Sequence, residues 1–107
     1  MPIFSNLGDY MRGWFIGDFD PSILRTREFE ICVVSHRRNE TTRQHYHTSS
    51  TEINLVLSGE LEVNGKLLHK NDIFIYEKNE VSDVQFIADS ELCVIRVPSA
   101  PNDKVLV

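Results

Sequence analysis

HYHTSSTEINLVLSG, residues 45–59, decides how the rest of the chain is read. In a strand, residues two apart point to the same face, so His45 and His47 project together while Tyr46 points away. The polar run TSST (48–51) makes a turn. Glu52 then opens a strand on which Ile53, Leu55 and Leu57 share one face and Glu52, Asn54 and Val56 share the other. A hairpin across that turn would bring Glu52 opposite the histidine end. Two imidazoles and one carboxylate with open positions suit a divalent transition metal such as Zn, Fe, Mn or Ni. The competing reading is a pair of hydrogen-bonded histidines with Glu52 as a cross-strand partner.

Working outward, strand follows strand. FEICVVSH (29–36), EINLVLSGELEVNG (52–65), DIFIY (72–76), VSDVQFIA (81–88) and ELCVIRVP (91–98) are rich in β-branched and aromatic residues and recur at the spacing of an all-β sandwich or barrel. The breaks between them are legible. Asn64-Gly65 is the signature of a type I′ hairpin turn, which needs positive φ at both central residues. RRNE (37–40), KND (70–72) and EKNE (77–80) each carry an asparagine, the residue after glycine that best tolerates left-handed backbone. Asp20-Pro21-Ser22 is the one helix-start signal, predicting a short turn through Ile23 and Leu24.

At this point the chain resembles the cupins. Their first motif is H-x-H, a short gap, E, six residues and G, and His45, His47, Glu52 and Gly59 match it; the glycine that precedes the motif is Asn39 here. In the second motif Asn71 and Asn79 stand for the two glycines, Glu77 for the proline and Ser82 for the histidine that is the fourth metal ligand in the family. The resemblance covers about residues 29–98. It implies a single-domain double-stranded β-barrel of jelly-roll type, in which His45, His47 and Glu52 hold a divalent metal. Asp83 is a substitute fourth ligand only if a bulge turns it inward, because it otherwise faces away from Ser82.

The chain has 107 residues, enough for one domain that folds without metal or disulfide. Residues 1–28 form an arm ahead of a barrel at 29–107. The arm carries Phe4, Tyr10, Trp14, Phe15 and Phe19, aromatics that must be buried either as an added strand on the arm's own barrel or across a partner subunit, which would make a homodimer. The net charge of −5 argues against nucleic acid or an anionic membrane as partner, and the basic cluster His36-Arg37-Arg38 is too short to change that. No secretory signal opens the chain and no run is long enough to span a bilayer, so a cytoplasmic protein is expected. Cys32 and Cys93 are expected in the core as free thiols.

Asn54 shares Glu52's face and is a candidate to orient a ligand. Tyr76 is a candidate pocket wall. Arg96 is either an edge-strand charge or a clamp for a substrate carboxylate. Three functions fit: a metal-dependent enzyme acting on a small polar metabolite, a metal-free cupin that binds or isomerises a sugar or nucleotide sugar with histidine acid/base groups, and a ligand-binding module without chemistry.

Overall fold

The computed structural model describes all 107 residues. Ten strands follow in chain order: β1 (Trp14–Ile16), β2 (Glu30–His36), β3 (His45–His47), β4 (Thr51–Ser58), β5 (Glu60–Val63), β6 (Lys66–His69), β7 (Ile73–Tyr76), β8 (Val84–Phe86), β9 (Ser90–Val97) and β10 (Lys104–Leu106). One sheet has five strands in the order β1-β2-β9-β4-β7. Facing it are β6-β5-β8 and β10-β3, joined by the bridges His45–Ser82 and Thr41–Gln85. All strand pairs are antiparallel. The result is the all-β jelly-roll barrel that the strand pattern predicts.

The asparagine turns behave as their chemistry requires. Asn39, Asn71 and Asn79 have φ of 70°, 74° and 70°, and Asn64-Gly65 has 46° and 84°. Three positions where the cupin motifs place glycine thus keep left-handed backbone with a side chain attached. Gly59 has no such substitute. Its φ is 96°, and a Cβ there would lie 2.1 Å from Ser90 Oγ and 2.5 Å from the Asp89 carbonyl oxygen.

The barrel interior is packed by Cys32, Val56, Leu61, Val63, Leu68, Tyr76, Val84, Phe86, Leu92 and Val94. Leu61 and Val56 are completely buried. The arm adds its own strand: β1 pairs with β2, and Trp14 packs against the core. The predicted helical turn at Asp20–Leu24 does not form, because the Ile23 N–H is donated to Phe15 and the Leu24 carbonyl accepts from Gly17, which lays this segment beside β1. The short helices lie earlier, at Leu7–Asp9 and Met11–Gly13, the first closed by a reciprocal cap between Asn6 and Asp9. Cys93 departs from its expected core position: it is half-buried on the outer face of the sheet, while Cys32 is inside. No helix is long and apolar enough to cross a membrane.

Candidate functional site

His45 and His47 point into the barrel from β3, their rings edge to face with centroids 5.3 Å apart. The expected hairpin between β3 and β4 is absent. β3 pairs with β10, and β4 lies in the opposite sheet between β9 and β7. Glu52 meets His47 across the barrel, with Oε2 3.4 Å from Nε2. Sequence adjacency therefore brings these residues together, but through sheet-to-sheet packing.

A chain of alternating charge runs through the site. The Nδ1–H of His47 donates to Asp103 Oδ1 at 2.7 Å. Asp103 Oδ2 also accepts the N–H groups of Ser49 (3.0 Å) and Ser50 (2.9 Å), which pins the β3–β4 connection to the C-terminal strand. Glu52 Oε1 accepts from Asn54 Nδ2 at 3.1 Å, and Oε2 accepts from Arg96 Nε at 2.9 Å. Arg96 continues to Glu30, with Nη1 3.7 Å from Oε1, and its guanidinium stacks on the Trp14 ring 4.6 Å from the centroid. His47 is 7% exposed, and its Nε2 has no hydrogen-bond partner.

These partners set the charges. Burial disfavours the cationic form of His47, but the carboxylates of Glu52 and Asp103 outweigh it and raise its pKa above the usual histidine value. Burial would also raise Glu52, but His47 and Arg96 pull it down to about 2. Asp103 is lowered too, with His47 and the Ser49 and Ser50 amides overcoming its own burial. His45 goes the other way. Burial lowers its pKa, and Lys104 and His47 reinforce the effect against the Arg43 carbonyl, which accepts its Nδ1–H at 2.8 Å.

The donors do not fit the expected metal centre as arranged. Both oxygens of Glu52 are engaged, the nearest cation being Arg96, and no group of three or more His, Cys, Asp or Glu side chains is placed to hold a metal ion. Ser82, at the fourth-ligand position, is buried and turns its hydroxyl to His45, 3.2 Å from Nδ1 and 3.2 Å from the carbonyl oxygen. Asp83 does not replace it. Its backbone N–H and carbonyl pair with Asn64, and it is not among the residues that line the cavity. The Nε2 atom of His47 faces Glu52 Oε2 at 3.4 Å, and that carboxylate is also held by a guanidinium.

The remaining expectations divide. Asn54 is 2% exposed and faces the cavity, where it holds Glu52. Tyr76 is a wall residue, as expected, and its hydroxyl donates to Asn64 Oδ1. Arg96 is not an edge charge, because β9 lies between β2 and β4 and Arg96 points inward. The basic cluster resolves into a turn in which His36 stacks on Phe86 (centroids 4.2 Å) and pairs with Glu40. Asp103, Glu30 and Lys104 were not foreseen. Asp103 and Lys104 lie in a polar tail 56 or more residues from His47 with no spacing that ties them to it. Only the β10–β3 pairing, with Lys104 opposite His47, brings them in.

The cavity that holds the site has a volume of about 340 Å³ and aromatic walls from Trp14, Phe74, Tyr76 and Phe86. Arg12 and Lys104 stand at its exposed margin.

No protein-family profile and no curated protein matches the chain. Solved structures do. A Klebsiella pneumoniae protein with a double-stranded β-helix domain superposes with a TM-score of 0.71 at 21% identity, over 98% of this chain and 90% of that one. Pac13, a nucleoside dehydratase, from Streptomyces, gives 0.64 at 16% identity over 77% and 70%. A cupin-2 domain protein from Shewanella frigidimarina gives 0.59 at 14% identity over 70% and 76%. With the barrel topology above, these likenesses establish that the chain has the fold of the cupin superfamily, a double-stranded β-helix.

Proposed function

We propose that the barrel binds a small polar metabolite of the sugar or nucleoside class and moves a proton on it, with His45 as base and His47 as acid. One observation carries this reading: two histidines share one pocket while their surroundings push their pKa values apart, the pattern by which a site assigns acid and base roles. With Nδ1–H donated to the Arg43 carbonyl, His45 is neutral and its Nε2 lone pair accepts a proton. His47, held between Asp103 and Glu52, is cationic and delivers its Nε2 proton, leaving a neutral ring whose Nδ1–H stays on Asp103. Glu52 stays ionised and acts on the charge of His47, with Arg96 and Asn54 holding it in place.

The cavity supports the ligand class. Its volume lies at the lower end of the range for small-molecule sites, and its aromatic walls suit a sugar or nucleobase ring. Arg12 and Lys104 at its margin favour a ligand with an anionic group. Structures of Pac13 variants contain uridine, which makes nucleosides reasonable first probes.

The test is proton exchange. Uridine, uridine diphosphate sugars and a panel of keto-sugars are incubated with the protein in D₂O and followed by NMR. Deuterium incorporation or product formation that is lost in both His45→Gln and His47→Gln, while the ligand still binds, supports the reading. Saturable binding with no exchange, or exchange that both variants retain, refutes it.

A second reading, a divalent metal on the two imidazoles, is favoured by the buried Nε2 of His47, which makes no hydrogen bond, and by the hydrogen bonds that occupy Nδ1 of both rings. It requires Glu52 to leave Arg96. Metal analysis separates the two.

A further inference from the structure

One turn of the arm is built on an unexpected residue. Five residues other than glycine have positive φ: Asn39, Asn64, Asn71, Asn79 and Arg12. Four are asparagines, which tolerate left-handed backbone, and the fifth is an arginine. Arg12-Gly13 has φ of 51° and 79°, close to the 46° and 84° of Asn64-Gly65, and the Trp14 N–H donates to the Met11 carbonyl across it. These are the angles of a type I′ turn, which selects Asn-Gly. Gly13 is fixed by packing, because a Cβ there would lie 1.9 Å from the Val33 carbonyl oxygen. Nothing in the turn asks for arginine at position 12. Its Cβ is crowded in left-handed backbone, and glycine or asparagine would relieve it. The side chain gains no protein partner in return: the arginines that form ion pairs are Arg25, Arg27 and Arg96. Backbone strain held without an internal gain points to a ligand.

Arg12 lines the barrel cavity and also a neighbouring cavity of about 210 Å³ walled by Trp14, Phe19, Glu30 and Arg96. Lys104 lines the barrel cavity too, exposed and outside every ion pair. The exposed acids near Arg12 leave it free: Asp20 shares the neighbouring cavity without pairing with it, and Glu40 is taken by His36. We propose that Arg12 and Lys104 form a subsite for the phosphate of a phosphorylated sugar or nucleotide whose ring enters the barrel. The subsite rests on the function proposed above and names the anionic group of its ligand. A chain of net charge −5 that keeps two unpaired cations on one cavity wall draws an anion to that wall. A dianionic phosphate matches two cations, with its oxygens on the guanidinium fork and the lysine as a point charge. The aromatic walls of the cavity receive the ring.

Titration calorimetry at low salt tests this with uridine against uridine monophosphate, and with glucose against glucose 6-phosphate and glucuronate. In each series the phosphate ester is expected to bind about tenfold or more tighter than its uncharged parent, and tighter than the carboxylate. High salt should narrow the gap. Arg12→Asn is expected to close most of it, with a Tm equal to or above that of the wild type because asparagine suits the turn. Arg12→Lys should keep part of it. Lys104→Met, at an exposed position, should narrow it as well, and it decides the matter should Arg12→Asn fail to fold. Esters that bind no tighter than their parents or not at all, a preference for glucuronate, or a gap that survives Arg12→Asn would overturn the proposal. So would a gap lost only together with several degrees of Tm, which would make Arg12 a structural residue. Protein that binds the esters through Arg12 but exchanges no proton would refute the acid–base function and leave the subsite standing.

Discussion

Asp103→Asn tests the electrostatic account of the site at the residue that holds His47. The substitution keeps the shape but removes the charge, and an amide cannot accept at once from His47 Nδ1, the Ser49 N–H and the Ser50 N–H. The dependence on pH follows from the direction of the His47 shift. Its folded pKa is raised, so the stability it confers is fully present below the unfolded value of 6.5 and is lost as pH rises through the folded pKa. At pH 6 the wild type has a cationic His47 on an ionised Asp103, and a hydrogen bond between charged groups is worth about 1.5–3 kcal/mol. Above its folded pKa His47 is neutral and the same bond is worth about 1 kcal/mol. With a Tm shift of about 4–8 °C per kcal/mol for a domain near this size, Asp103→Asn should lower Tm by at least about 6 °C at pH 6 and by clearly less once pH has risen through the folded pKa of His47. NMR titration of the His47 ring locates its folded pKa and should show it falling in the variant, and thermal melts below and above that value measure the two losses. Equal losses on both sides of the His47 pKa, with the His47 titration unmoved, would rule out this role for Asp103.

Three further outcomes follow from the same geometry. Arg96→Met leaves the largely buried Glu52 carboxylate with only His47 and Asn54; unfolding by urea should show a loss of about 3–5 kcal/mol at pH 7, and the Glu52 pKa should rise from about 2. Because the folded pKa of Glu52 is depressed, its contribution is present above its unfolded value of 4.5 and disappears as pH falls toward 2, so an acid melt of the wild type should lose stability across that window and Glu52→Gln should flatten the loss. Leu61→Ala, at a completely buried core position, should cost about 2–5 kcal/mol by the same urea measurement.

The fold was legible because its signals are local. Alternation marked the strands, and Asn39, Asn64, Asn71 and Asn79 marked turns whose left-handed backbone the structure bears out. The pocket was half legible. His45 and His47 follow from strand periodicity, and Asn54 follows Glu52 onto the inner face. What the sequence hid is long-range. Asp103 reaches His47 only through the β10–β3 pairing, and Glu30 reaches Arg96 only because β9 is inserted between β2 and β4. The sequence leaves Arg96 open between an edge charge and a carboxylate clamp, because an arginine among apolar neighbours has no visible partner in one dimension. The apolar outer face was in view in the alternation of β4, but which face of that strand looks inward is settled only by Glu52 and Asn54 finding partners inside.

In the proposed function, Arg96 and Asp103, side chains of the protein itself, organise this pocket for acid–base work. Its most direct test is the transition-metal content of untagged protein purified without chelator, measured by mass spectrometry before and after soaking in Zn, Fe(II), Mn and Ni and desalting. The expected content is far below stoichiometric in every case and unchanged by His47→Ala. A content near one metal per chain that His45→Ala or His47→Ala abolishes would contradict it.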